Sequence, residues 1–327
     1  MQASATRDHG GDIGAAAARF GGKEDEWIDL STGINQMPYP VPHVPPSAWQ
    51  CLPTRGARDE LVAAAREAYG SDAPMVPLAG AQAAIQLVPR LGPTGKASVL
   101  GPTYNEHAAA LRTQGWQVRE ERQLEALRGA DLAVVVNPNN PDGRVHSPDD
   151  LAALSNEVGL LVVDESFADP TPSMSLAPRA GQGRLVVLRS FGKFYGLAGV
   201  RLGFALGPAD LVRDLAELAG PWAVSGPAMA IGAIALRDVR WAEATRTRLA
   251  RDAQRLDSLA ANSGWKLAGG TSLFRLFETP AAGAAQEKLA TRHVWSRTFP
   301  WSPHLVRLGI PAGEQQWQPL QDALRTP

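Results

Sequence analysis

The run at residues 190–203, SFGKFYGLAGVRLG, sets one serine, one lysine and one arginine among glycines, directly after the apolar stretch 185–188. A lysine at the end of a buried strand is costly unless something binds it. Flanking glycines let the backbone come close to a ligand. Lys193 can form a Schiff base with an aldehyde. Ser190 can hold a phosphate through its hydroxyl, and Arg201 through its planar guanidinium. A cofactor that carries both groups is pyridoxal 5′-phosphate. The competing reading makes Lys193 a surface lysine in a glycine-rich loop and Arg201 a salt-bridge partner.

Two further constellations weigh against that reading. Residues 134–143, VVVNPNNPDG, run from an apolar strand into a turn rich in Asn, Pro and Gly. Open α/β sheets place ligands at such carboxyl ends of parallel strands. An asparagine amide there can donate to a phenolic oxygen of the cofactor. Residues 160–167, LLVVDESF, again end an apolar run in acid. Asp164 can face the pyridine nitrogen and keep it protonated, because an opposite charge favours the charged form. A protonated ring is an electron sink for a carbanion. The alternatives for Asp164 are a helix cap or a metal ligand, but no helix start follows closely and no histidine lies nearby in sequence.

The order and spacing of these motifs resemble fold type I pyridoxal-phosphate enzymes of the class I/II aminotransferase superfamily, over nearly the whole chain. The resemblance implies that Lys193 is the Schiff-base lysine and Asp164 the partner of the ring nitrogen. It implies Asn140 on the pyridoxal oxygen, and Ser190 and Arg201 on the phosphate. Gly80, Ala81 and Gln82, opening an apolar helical stretch, match the family's phosphate cup, where helix N-terminal N–H groups suit an anion. Tyr104, in GPTY, matches the aromatic that stacks on the ring. Arg307, in LVRLG, matches the arginine that meets the substrate carboxylate. His9, Gly33 and Asn35 are expected with it at the substrate. For His9 a merely solvated role competes, for Asn35 a turn role, and for Arg307 a solvent-facing strand position.

The opening segments, HGGDI at 9–13, DLSTGIN at 29–35 and PYP at 38–40, narrow the resemblance to the threonine-phosphate decarboxylases of cobalamin biosynthesis. That branch implies conversion of L-threonine O-3-phosphate to (R)-1-amino-2-propanol O-2-phosphate. The stretch 78–86, LAGAQAAIQ, also looks more like this branch than like histidinol-phosphate aminotransferases. Two departures stand out. Phe167 occupies the position where many aminotransferases carry a tyrosine that donates to the pyridoxal oxygen. The tyrosine that many relatives send to a neighbouring subunit's phosphate has no counterpart in CLPTRG at 51–56. The alternatives are an aminotransferase such as a histidinol-phosphate aminotransferase, and a catalytically silent binding module of the same fold. Homodimerisation is a further implication of the resemblance.

These residues must be positioned by strands and helices in alternation. Short apolar strands are expected at 97–100, 132–137, 160–164, 185–190 and 202–206, with a helix at 58–69. Such alternation predicts an α/β fold, a mostly parallel sheet flanked by helices in a large domain. A smaller α+β domain follows, with strands at 273–277, 294–299 and 305–308 and a helix near 314–324. The expected organisation is an N-terminal arm at 1–46, a large cofactor-binding domain at 47–225, linking helices at 226–263 and a small domain at 264–327.

Composition excludes several classes. Lys and Arg (32) balance Asp and Glu (33), which argues against a nucleic-acid surface. The histidines are scattered without HExxH and Cys51 is the single cysteine, which argues against zinc. The run GPTGKA at 92–97 lacks phosphate-loop spacing and reads as a turn before a strand. No apolar run is long enough for a membrane span. The expected location is a reducing cytoplasm, without a signal peptide. The expected partner is a small phosphorylated amino acid.

Overall fold

The computed structural model describes residues 9–325. Backbone contacts group them into two units. The larger holds Pro38–Asn140 and Arg144–Thr245. The smaller holds the residues up to Met37, Pro141–Gly143 and those from Arg246 onward.

The larger unit is built on seven strands: β1 (Met75–Leu78), β2 (Lys96–Leu100), β3 (Gln117–Glu121), β4 (Leu132–Val136), β5 (Leu161–Asp164), β6 (Leu185–Ser190) and β7 (Gly203–Leu206). Their order is β1-β7-β6-β5-β4-β2-β3. β7 runs antiparallel to both neighbours, and every other pairing is parallel. The carboxyl ends of six strands and the amino end of β7 therefore share one edge. β4 and β5 are buried throughout, as expected of central strands covered on both faces.

Helix α1 (Arg55–Tyr69) begins where Thr54 Oγ1 accepts from the Ala57 N–H at 3.1 Å, and ends at Gly70 with φ +59°. It buries Leu61, Ala64, Ala65 and Tyr69, one stripe at helical spacing. It packs against α5 (Gly226–Arg237), where a side chain on Gly232 would meet Leu61 Cδ1 at 2.9 Å. This packing explains why the expected linking segment 226–263 does not stand apart. Helix α5 groups with the larger unit, and the following helix α6 (Val239–Asn262) changes units at Arg246. Residues 38–46, expected in the N-terminal arm, also group with the larger unit.

The smaller unit carries a four-stranded antiparallel sheet of β8 (Lys266–Thr271), β9 (Phe274–Glu278), β10 (Arg297–Phe299) and β11 (Ser302–Gly309), in the order β10-β11-β9-β8. The expected run 294–299 is two strands, because Val294–Trp295 pairs instead with Ile28–Asp29. Among the described residues no helix is long and apolar enough to cross a membrane.

Candidate active site

The shared edge of the larger sheet gathers nine of the residues singled out in the sequence. Gly80, Ala81 and Gln82 leave β1 and open α2 (Ala81–Leu87), which no side chain caps. Tyr104 follows β2 and precedes α3 (Asn105–Thr113). Asn140 lies beyond β4, Asp164 ends β5, and Ser190 ends β6. Lys193 lies in the short helix α4 (Phe191–Phe194), and Arg201 precedes β7.

The neighbouring ends of β1 and β7, expected to hold a phosphate, are shaped by missing atoms. Gly80 has φ +81°, and a Cβ on it would lie 2.9 Å from Nη2 of Arg201. Arg201 has φ +56°, the left-handed region, and its Nη1 donates to the Ala198 carbonyl at 3.2 Å. Gly203 has equally little room, since a side chain there would meet the Ala81 N at 2.5 Å. Ser190 stands at the N-cap of α4 yet makes no side-chain cap. Gln82 is held from its other end: Tyr104 Oη donates to its Oε1 at 3.2 Å, and its Nε2 donates to Glu106 Oε2 at 3.0 Å. That linkage pins the tyrosine ring.

The three asparagines after β4 divide their work. Asn137 exchanges two hydrogen bonds with the His146 backbone, at 2.8 and 3.2 Å. Asn139 accepts from Thr103 Oγ1 at 2.6 Å and donates to the Pro102 carbonyl at 3.0 Å. Both are buried and shape the loop, whereas Asn140 is half-buried.

Asp164 is 2 % exposed. Its Oδ1 accepts from Ser166 N at 2.9 Å and Ser166 Oγ at 2.5 Å, and its Oδ2 lies 2.8 Å from Nε2 of His107. Burial alone would raise its pKa, but the His107 contact and the two Ser166 donors outweigh it and hold the carboxyl below its usual value. A depressed carboxyl contributes stability that is present above the unfolded-state value of 3.8 and lost as pH falls through the lower folded value. Asp164 is thus an anion throughout the neutral range. His107 corrects the sequence reading, which found no histidine near this acid: it stands three residues after Tyr104, in the first turn of α3, on a different strand-end segment. Its Nε2 faces a carboxylate and so donates. Replacing His107 with Phe is expected to weaken cofactor binding by about ten- to a hundredfold, the worth of a hydrogen bond to a charged group. Titrating the cofactor's absorbance measures this, and unchanged affinity would remove His107 from the site.

Lys193 is half-buried, with Nζ 5.8 Å from the centre of the Phe167 ring. Its turn is backed by stacked rings, Phe191 on Tyr195 at 4.4 Å and Tyr195 on Trp241 at 5.4 Å. Tyr39 packs edge-on against both Tyr195 and Trp241.

A second charged cluster is fully enclosed. Arg189, adjacent to Ser190, pairs with Glu165 at 2.8 Å and Asp169 at 2.5 Å, and lies 4.3 Å over the Tyr69 ring. Glu165 also accepts from Ser175 Oγ and Leu176 N, both at 2.5 Å. Burial raises the Glu165 pKa against the pull of Arg189. For Arg189, burial lowers the value but Asp169 and Glu165 raise it further.

The smaller unit holds the other four candidates. Arg307 on β11 is buried, donates from Nη2 to the Ser31 carbonyl at 2.6 Å and lies 5.2 Å from the Phe274 ring centre. Its cross-strand partner on β10 is Arg297, which sequence reading did not single out. Burial, and then the Arg297 charge, pull the Arg307 pKa down to about 10, with Asp29 opposing. Gly33 and Asn35 are buried in the segment that also holds Ser31. His9 is exposed, next to Gly10, where a side chain would meet the Ser31 carbonyl oxygen at 2.6 Å.

The larger unit's residues fit a group with a phosphate, an aldehyde and a basic ring nitrogen. The glycine cradle and Arg201 suit the first, Lys193 the second, and Asp164, an anion at neutral pH, the third. The sequence profile of the family described as aminotransferase class I and II matches residues 48–317. The chain is 45% identical to a threonine-phosphate decarboxylase of Pseudomonas aeruginosa, over 97% of both chains. It is 42% identical to a threonine-phosphate decarboxylase of a Sinorhizobium species, again over 97% of both. In fold it resembles the histidinol-phosphate aminotransferase of Sinorhizobium meliloti in complex with pyridoxal-5′-phosphate, with a TM-score of 0.82, 17% identity and 99% and 98% of the two chains covered.

Proposed function

The chain belongs to the aminotransferase class I and II family, and from that premise we propose that it is a pyridoxal-phosphate-dependent decarboxylase. Its substrate is L-threonine O-3-phosphate, its products are CO2 and (R)-1-amino-2-propanol O-2-phosphate, and its place is cobalamin biosynthesis. The full-length similarity to threonine-phosphate decarboxylases supports this reading. The observation that carries the substrate class is Arg307, buried opposite Arg297. Two positive charges on paired strands, one of them buried, suit a ligand with more than one anionic group.

Ser190, Arg201 and the backbone of Gly80, Ala81 and Gln82 bind the cofactor phosphate. Tyr104 lies against the ring, Asn140 donates to the pyridoxal oxygen, and Asp164 holds a proton at the ring nitrogen. When bound, the cofactor supplies an aldehyde for the substrate amine and an electron sink for the pair freed at the α-carbon. Lys193 delivers the proton that replaces CO2 at the α-carbon. Arg307, with Asn35, Gly33 and His9, orients the carboxylate and phosphate, and that orientation decides which bond breaks. We further propose a homodimer, supported by the exposed apolar side chains of Trp49, Leu52 and Ile234 on the larger unit, and a cytoplasmic location, supported by the single cysteine.

The test is turnover of L-threonine O-3-phosphate by the cofactor-loaded protein with no 2-oxo acid present. Stoichiometric CO2 and amine phosphate are expected. Conversion of the cofactor to its pyridoxamine form without CO2 would make the chain an aminotransferase. Arg307→Gln is expected to lower kcat/KM by about 30-fold or more, since it removes one partner of a buried charged contact. Steady-state kinetics check this, and a kcat/KM within twofold of wild type would take Arg307 out of the substrate site.

A further inference from the structure

We infer that Ser31 is a positioning residue for Arg307: its side chain fixes the short segment whose carbonyl holds the guanidinium. The inference rests on the reading of Arg307 as a substrate residue. Ser31 is fully buried, and its N–H, hydroxyl and carbonyl all have partners. The N–H and Oγ both donate to Asp29 Oδ1, at 2.9 and 2.6 Å. An aspartate that takes the N–H two residues on sets a local turn. The same Oγ accepts from the Gly11 N–H at 2.7 Å. The carbonyl accepts from Arg307 Nη2 at 2.6 Å. One residue thus joins Asp29, the backbone at Gly11 and Arg307.

Leu30, just before it, is pinned to two neighbouring strands. Its N–H donates to the Trp295 carbonyl at 2.8 Å, and its carbonyl accepts from the Gly309 N–H at 2.7 Å. Gly309 ends β11, two residues after Arg307, and a side chain on it would meet the Thr32 carbonyl oxygen at 2.5 Å. These contacts set where the segment lies along β11. The direction of the Ser31 carbonyl is set by two others. Asp29 holds the residue from one side. Gly10 borders it on the other, since a Cβ there would lie 2.6 Å from that carbonyl oxygen. A charged donor bound to a fixed acceptor keeps one geometry. Whatever fixes the Ser31 carbonyl therefore also aims the guanidinium, without contacting substrate.

The test reads the guanidinium directly. Cofactor-loaded protein is treated with phenylglyoxal, an arginine-selective reagent, and modification of Arg307 is followed by peptide mass spectrometry. Arg189, buried in the larger unit, is the internal control. Ser31→Ala removes the hydroxyl and is expected to speed modification of Arg307 about tenfold, the worth of a hydrogen bond to a charged group. Arg189 should be unaffected. Gly10→Ala should act in the same direction, although it deletes no hydrogen-bonding group. In steady-state kinetics Ser31→Ala is expected to raise KM about tenfold, with kcat within about twofold. Added to Arg307→Gln it should cost no more than about twofold, because both act on one group. Unchanged labelling of Arg307 in either variant, equal acceleration at Arg307 and Arg189, or a full second cost in the double variant would overturn the inference. If Ser31→Ala fails to fold, Gly10→Ala decides it. If wild type releases no CO2, the substrate reading fails by itself, and the labelling of Arg307 still decides the role of Ser31.

Discussion

Lys193→Ala is expected to reduce CO2 release by at least about 10³-fold, because it removes the side chain proposed both to bond the aldehyde and to protonate the α-carbon. The fold should be indifferent to the change. The turn that carries Lys193 is held from behind by the Phe191–Tyr195–Trp241 stack, and the Tyr39 N–H donates to the Tyr195 carbonyl at 2.8 Å. None of these contacts uses the lysine side chain. Thermal unfolding should therefore shift little while turnover collapses. Borohydride reduction gives an independent readout: wild type should retain cofactor covalently and the variant should not. Full turnover in the variant would remove Lys193 from the chemistry.

Arg189→Met is expected to have the largest effect on stability, a loss of about 3–5 kcal/mol at neutral pH. Glu165 is fully buried and Asp169 nearly so, and Arg189 is the guanidinium that both face. Methionine fills much of the volume and leaves two carboxylates enclosed without their cation. The loss should depend on pH in a definite direction. Glu165 already has a raised pKa, so its protonated form is favoured in the folded state. Such a group favours folding below its unfolded-state value of 4.5, and that contribution disappears as pH rises through the folded value. Without Arg189 the folded value rises further, so the deficit should shrink as pH falls toward 5 and widen toward 8. Urea unfolding at those two pH values measures it. A deficit that is the same at both, or under about 1 kcal/mol, would show that the arginine is not the compensating charge.

Legibility in the sequence followed burial. The central strands β4, β5 and β6 are continuous apolar runs that stop at a polar residue, so their positions and the strand-end locations of Asp164, Ser190 and Lys193 could be read directly. The strands that were missed lie at sheet edges. β1 contains Pro77, which an edge tolerates, and β3 reads QVREE, with most of its side chains at least partly exposed. β8, the edge of the smaller sheet, is interrupted by Gly269 and Gly270. Neither β3 nor β8 has the apolar pattern that marks a strand, and β1 is an apolar run cut short by its proline. His107 was missed for another reason. Its contact with Asp164 joins residues 57 apart in sequence, and the visible clue was its place one helical turn after Tyr104. The contact of Ser31 with Arg307, 276 residues away, left no local clue at all. Tertiary proximity of that kind has no periodicity to read.

The pairing of β1 with β7 joins the first strand of the larger sheet to its last, with Leu78 opposite Gly203. Gly80 and Arg201 stand just beyond that seam, close enough that one lacks a Cβ to admit the other. The proposed phosphate cradle therefore exists only where these two strands, distant in sequence, have paired. In the proposed function, a phosphate held between Gly80 and Arg201 would act as a clasp on the finished sheet. It binds the folded chain and not the open one, so at a free concentration 100 times its dissociation constant it adds about 2.7 kcal/mol to stability. Cofactor supply would then govern not only how fast this protein works but how long each copy of it lasts.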